Sequence, residues 1–129
     1  MRTPRSLLIL AAAAILLCPL PARAHHSFAA EYDANAAVAV KGVVTKIEWT
    51  NPHAYVYIDV TDEGGKVVNW AFEGYPPNTL KRTGFPRGLL KSGDVISVTG
   101  YRARYSQNRA AGREITLADG RKVFLGPAA

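Results

Sequence analysis

The chain has 129 residues, with 16 Lys and Arg, 10 Asp and Glu, and a formal net charge of +6. Three of the basic residues, Arg2, Arg5 and Arg23, lie in the first 24 residues, so the rest has 13 basic and 10 acidic residues. This mild surplus is too weak to indicate a nucleic-acid-binding protein by itself, and the length allows one small domain without a large catalytic insert.

The first 24 residues have the three parts of a secretory signal peptide. Two arginines begin it, residues 7–17 form an unbroken apolar run, and Ala-Arg-Ala at residues 22–24 is typical of a cleavage site. The apolar run is shorter than the roughly 20 residues that span a bilayer. We therefore expect cleavage after Ala24 and no transmembrane segment in the mature form. The single cysteine, Cys18, would be removed, and a cysteine-free exported domain suits a bacterial periplasm.

Residues 25–37 are polar and rich in alanine, and we interpret them as an extended N-terminal arm or loop. Strand signals follow. Six segments combine β-branched or aromatic residues with flanking turn residues: 38–49, 53–61, 66–73, 95–103, 115–117 and 122–125. Gly42 is expected to mark a bulge in the first segment. A short helix is predicted at residues 78–82, with Asn78 as its cap, and residues 102–113 are predicted as a basic loop.

The order of these elements predicts a mainly β fold, a small antiparallel OB-like barrel of five to six strands with one short helix. A small β-sandwich is the competing architecture. The predicted organisation is a signal peptide at residues 1–24, the arm at residues 25–37 and the barrel domain at residues 38–129. A closed barrel would also protect its strand edges without disulfides.

Four runs of sequence resemble a known family: HHSFAAEYD at residues 25–33, GVVTKIEWTNPH at 42–53, LKSGD at 90–94 and VTGY at 98–101. Together they are similar to the small secreted bacterial proteins of domain-of-unknown-function family 6152. The resemblance covers essentially the whole mature chain and implies a periplasmic, β-rich domain. It implies no established activity, substrate or catalytic residue.

The three histidines are the candidate metal ligands. After cleavage, His25 would carry a free α-amine and an imidazole on one residue, and the two nitrogens can chelate a metal. His26 or His53 could supply a third nitrogen, and such a nitrogen set favours Cu or Zn. The alternative is that His25 and His26 are exposed polar residues at a frayed terminus, and that His53 only caps the Asn51-Pro52 turn.

A second candidate site is the outward face of the second and third strands, the usual ligand face of an OB-fold. It contains Tyr55, Tyr57, Asn69 and Glu73. The alternative is cross-strand packing that only stabilises the sheet. The inward residues Trp70 and Phe72 are instead expected in the core, together with Val56 and Ile58.

No nucleophile elbow, phosphate loop or zinc-protease motif is present in the sequence, so no catalytic residue is assigned. The sequence predicts a periplasmic binding protein for a small ligand, with Cu or Zn at the histidines as the candidate cofactor. The alternatives are a metal-free adaptor that binds an envelope protein through the tyrosine face, and a copper redox enzyme.

Overall fold

The computed structural model describes residues 27–127. Within this range the protein is mainly β, with six strands and two short helices. In chain order these are α1 (Phe28–Glu31), β1 (Tyr32–Glu48), β2 (Tyr55–Thr61), β3 (Val67–Glu73), α2 (Pro77–Arg82), β4 (Val95–Ala103), β5 (Arg109–Thr116) and β6 (Lys122–Phe124).

The strands form one six-stranded sheet in the order β3-β2-β1-β4-β5-β6, and these neighbours are antiparallel. A further, parallel pairing joins β3 to β5, with Phe72 opposite Ala110. The pairings therefore run from β1 through β2, β3, β5 and β4 back to β1. This return places the last residues of β3 beside the first residues of β5, although about 36 residues separate them in sequence.

The core consists of the inward side chains of the strands. Alternation in β2 and β3 buries Val56, Ile58, Trp70 and Phe72, as the sequence predicts. Full burial of one such side chain is worth about 1.5–3 kcal/mol, so this stripe is a main source of stability. Further core residues come from the segment between β3 and β4: Leu80, Phe85 and Leu90.

Two predicted element boundaries are wrong. Strand β1 begins at Tyr32, so residues predicted as an arm include α1 and the start of β1. Strand β5 begins at Arg109, so the C-terminal part of the predicted basic loop is paired with β3 and β4. In both cases the local sequence has no clear β signal, and pairing with a distant strand makes the segment a strand. Tyr32 pairs with β4, and Arg109 pairs with β3.

Two local assignments also differ from the structure. Helix α2 begins at Pro77 with Pro76 at the N-cap, so Asn78 lies inside the helix. Proline suits the first helical position because its missing N–H would have no partner there. The register irregularity in the β1–β2 pairing falls between Val44 and Lys46 rather than at Gly42. Gly42 instead permits a close approach, because a Cβ there would lie 2.3 Å from the Asp59 carbonyl oxygen.

Gly42→Ala should lower the free energy of unfolding by about 1–3 kcal/mol, because the new methyl group would displace the backbone of β2. Denaturant unfolding of the purified protein measures the change. Gly64→Ala, in the β2–β3 turn, is the matched control, since the nearest atom to its Cβ is a side-chain oxygen of Asp62 at 3.3 Å. Equal effects of the two substitutions would contradict this packing argument.

Candidate ligand-binding cleft

Glu73, the last residue of β3, is the centre of a polar cluster, and its side chain is only 12% exposed. Its Oε2 atom accepts hydrogen bonds from three side chains. Tyr55 Oη donates at 3.0 Å and Arg109 Nη2 at 2.6 Å, and the Tyr32 hydroxyl is the third donor. The carboxylate is thus compensated by one cation and two hydroxyl groups, as a largely buried charge requires.

Strand pairing positions each member of the cluster. Tyr55 and Glu73 are directly opposite each other in the β2–β3 ladder. Arg109 begins β5 and is paired with Ala71, two residues before Glu73 on the same face of β3. Tyr32 begins β1. The cluster therefore joins four strands at one end of the sheet.

The cluster fixes the ionisation states of its members. Burial alone would raise the pKa of Glu73, but hydrogen bonds from Tyr32, Arg109 and Tyr55 outweigh it and hold this pKa below its ordinary value. Burial and the neighbouring Glu73 carboxylate raise the pKa of Tyr55 to about 12. The same two causes raise the pKa of Tyr32. At neutral pH the cluster is a carboxylate, a guanidinium and two neutral phenols.

A cleft of about 400 Å³ adjoins this cluster. It is lined by aromatic and proline side chains together with a few polar groups: Ser27, Phe28, Glu31, Tyr32, Pro52, His53, Tyr55, Glu73, Gly74, Tyr75, Arg109, Ala111 and Pro127. Its size and its mixture of apolar walls with a small set of polar groups are typical of small-molecule and cofactor sites.

The chain before β1 packs against one wall of the cleft. The Phe28 ring lies 5.5 Å from the Tyr32 ring and meets Tyr101 edge-on at 5.9 Å. Two hydrogen bonds from Arg104 hold α1 against the sheet. Its backbone N–H donates to the Glu31 carbonyl at 2.9 Å, and its Nε donates to the Ala29 carbonyl at 2.8 Å. Residues 28–31 are therefore docked on the sheet.

His53 lies at the mouth of the cleft just before β2. Backbone hydrogen bonds extend the β2–β3 ladder beyond its ends, from Ala54 N to Tyr75 O at 3.2 Å and from Gly74 N to Ala54 O at 2.8 Å. They hold the His53 ring beside the end of β3. Its Nδ1 lies 3.1 Å from the Gly74 carbonyl oxygen and 3.5 Å from Glu73 Oε1.

The predicted tyrosine face divides into two parts. Tyr55 and Glu73 line the cleft. Tyr57 and Asn69 lie further along the same strands, where Tyr57 Oη donates to Glu48 at 3.1 Å and Asn69 Nδ2 donates to Asp59 at 2.7 Å. These two polar groups are therefore engaged with neighbours on the sheet.

The candidate metal ligands are only partly within the structure. His25 and His26 lie outside the described residues, and their role stays a prediction. Ser27, the next residue, lines the same cleft as His53. Among residues 27–127 no group of three or more His, Cys, Asp or Glu side chains is placed to hold a metal ion. A metal in this cleft would need ligands from beyond that range.

Sequence reasoning missed two members of the cluster, Tyr32 and Arg109. Tyr32 was assigned to the arm and Arg109 to a loop. Each is far from Glu73 in the chain, by 41 and 36 residues respectively. No periodic sequence signal marks either residue, because each is placed by a pairing between distant strands.

Comparison with known proteins places this mainly β chain in a family. The model of the family of unknown function DUF6152 matches residues 13–112, more than half of the chain. The chain therefore belongs to this family, as the resemblance implied. No curated protein matches it. In the part of the chain described by the structure, neither helix is long and apolar enough to cross a membrane.

Glu73→Gln should remove the contribution that the ionised Glu73 carboxylate makes to the free energy of unfolding. Because the folded-state pKa of Glu73 lies below its ordinary value of 4.5, its ionised form stabilises the fold at neutral pH, and this contribution is lost as the pH falls below 4.5. At neutral pH the variant should lose about 2–3 kcal/mol, because the neutral amide oxygen loses the ion pair with Arg109 and accepts weaker hydrogen bonds than the carboxylate does.

Unfolding free energies measured from about pH 6 to about pH 3 test this linkage. The gap between the natural protein and Glu73→Gln should narrow on acidification. Glu63→Gln, at an exposed turn position, is the control and should show no such convergence. A gap that stays constant across the range would contradict the ionised cluster.

Proposed function

We propose that this protein is an exported binding module, an OB-like β-barrel whose ligand occupies the cleft beside Glu73. The observation that carries the proposal is the convergence of His53, Tyr55, Glu73 and Arg109 on one concave site lined otherwise by aromatic and proline residues. Polar groups that meet in such a site fix the orientation of a ligand. The protein is proposed as a binder, and no catalytic residue is assigned.

The barrel assignment has two supports. The strand pairings lead from β1 through β2, β3, β5 and β4 back to β1, and α2 lies between β3 and β4. An OB-fold is a five-stranded, partly open barrel that binds ligands on the face of its second and third strands. The cleft lies at the end of these strands, where His53, Tyr55 and Glu73 are positioned.

The proposed location is the bacterial periplasm. Its support is the signal-like sequence of residues 1–24 and the absence of cysteine after Cys18.

Expression with residues 1–24 in a Gram-negative host tests this location. The periplasmic fraction should contain a chain that starts at His25, detected by intact-mass spectrometry. A full-length chain that stays in the cytoplasm or the membrane would contradict the proposal.

The proposed cofactor of the cleft is Cu or Zn, held by His25, His26 and His53. The support is chain continuity, since Ser27 lines the same cleft as His53 and residues 25 and 26 directly precede it. Two residues extend the reach of the chain by up to about 7 Å. Cleavage would also create an amine whose intrinsic pKa of about 7.7–8.0 permits deprotonation and metal binding near neutral pH.

Metal titration of the mature chain tests this cofactor. A chain that starts at His25 should bind Cu(II) and Zn(II) tightly. His53→Ala, and a form with Gly-Ser-Gly-Ser placed before His25, should each bind at least about tenfold more weakly, or about 1.4 kcal/mol. The extension keeps every imidazole and moves only the amine.

Glu63→Gln should bind like the natural protein. If both test forms also bind equally well, the metal site is wrong. A different set of results would favour the metal-free adaptor over the metal site. In that case no form binds metal, a partner protein binds the mature chain, and Tyr57→Phe weakens that binding.

A further inference from the structure

The main hydrogen-bond donors beside the cleft are already engaged by Glu73. The hydroxyl groups of Tyr32 and Tyr55 both donate to its Oε2 atom, and Arg109 Nη2 donates to the same atom at 2.6 Å. A phenol has one proton to donate, so neither hydroxyl can donate to a ligand while the cluster is intact. A ligand that needs these donors would have to take them from a largely buried carboxylate, which is unfavourable.

The cleft instead presents acceptor oxygens. Glu73 Oε1 accepts no hydrogen bond from residues 27–127, and it lies 3.5 Å from His53 Nδ1. The Glu31 carboxylate also lines the cleft, with its Oε2 atom 3.7 Å from Arg109 Nη2. Two carboxylates and one guanidinium group therefore give the lining a net negative charge when His53 is neutral. This is opposite in sign to the net charge of +6 on the whole chain.

Aromatic rings form much of the remaining wall of the cleft: Phe28, Tyr32, Tyr55 and Tyr75. Two of these rings already contact a cation, since the Arg109 guanidinium lies 5.9 Å from the Tyr32 ring centre and 5.8 Å from that of Tyr55. The face of an aromatic ring carries partial negative charge, so it attracts a cation and repels an anion. The rings and the two carboxylates thus favour the same sign of ligand charge.

We infer that the ligand of the cleft is a small organic cation, a protonated amine on an apolar body. Its ammonium group donates to Glu73 Oε1 and to the Glu31 carboxylate, and its apolar body lies against the rings of Phe28 and Tyr75. A cleft of about 400 Å³ has room for such a molecule. The inference rests on the proposed function only in placing a ligand in this cleft, and it requires no metal.

Three probes of similar size and different charge test the inference: phenethylamine, which is protonated at neutral pH, the neutral phenethyl alcohol, and the anionic hydrocinnamate. Each is titrated into the mature, ¹⁵N-labelled protein in the presence of a metal chelator, and the amide signals of Tyr55, Glu73 and Gly74 report on the cleft. Phenethylamine should bind at least about tenfold more tightly than phenethyl alcohol. Hydrocinnamate should bind more weakly than either.

Glu31→Gln tests the source of this charge preference, because it removes one negative charge from the lining and nearly preserves the size of the side chain. It should weaken the binding of phenethylamine about tenfold and leave that of phenethyl alcohol unchanged. A general disturbance of the cleft would weaken both. Glu63→Gln, which removes a charge from an exposed turn, should change neither. Amide spectra establish that each variant is folded, and if Glu31→Gln does not fold, the three probes on the natural protein decide.

The outcomes separate this inference from the proposed function. If phenethyl alcohol or hydrocinnamate shifts the cleft signals with an affinity equal to that of phenethylamine, the inference is wrong and the binding cleft stands. Unchanged affinity for phenethylamine in folded Glu31→Gln would overturn the role of Glu31. If none of the three probes shifts the cleft signals, the inference and the proposed binding cleft are both overturned.

Discussion

The carboxylate of Glu73 must remain ionised at a position where its side chain is only 12% exposed, and much of the local structure follows from that requirement. A buried charge is tolerated only when nearly all of its hydrogen-bonding capacity is met. Tyr32, Tyr55 and Arg109 meet it from β1, β2 and β5. Together with β3, which carries Glu73, the cluster therefore connects four strands at the same end of the sheet.

The same interactions shape the cleft. Arg109 lies 3.7 Å from Glu31 as well as 2.6 Å from Glu73, so it links α1 to the end of β3. Its guanidinium group also lies within 6 Å of the Tyr32 and Tyr55 rings, which adds a cation–π contribution. One wall of the cleft is set by α1 and the other by β2 and β3. The His53 ring lies at the second wall, with its Nδ1 3.1 Å from the Gly74 carbonyl oxygen and 3.5 Å from Glu73 Oε1.

Local sequence patterns were sufficient for β2, β3, β4 and β6 and for half of the site, but they did not predict the start of β1 or most of β5. The alternation in β2 identified Val56 and Ile58 as core and placed Tyr55 on the outward face, and His53 was expected at the end of that strand. Tyr32 and Arg109 could not be found in this way. Their positions depend on the β1–β4 and the parallel β3–β5 pairings, which join distant parts of the chain and leave no periodic signal at either residue. Tyr57 and Asn69 lie further along β2 and β3 than the residues that line the cleft, and a binding role for them stays a prediction.

The account depends most directly on where a metal binds relative to His53. A crystal structure of the mature chain grown with Zn(II) and measured at the zinc absorption edge would locate the ion by anomalous scattering. We expect one strong peak about 2.0–2.1 Å from a ring nitrogen of His53, with the Glu73 cluster unchanged. A mature chain whose cleft holds no zinc would contradict the account.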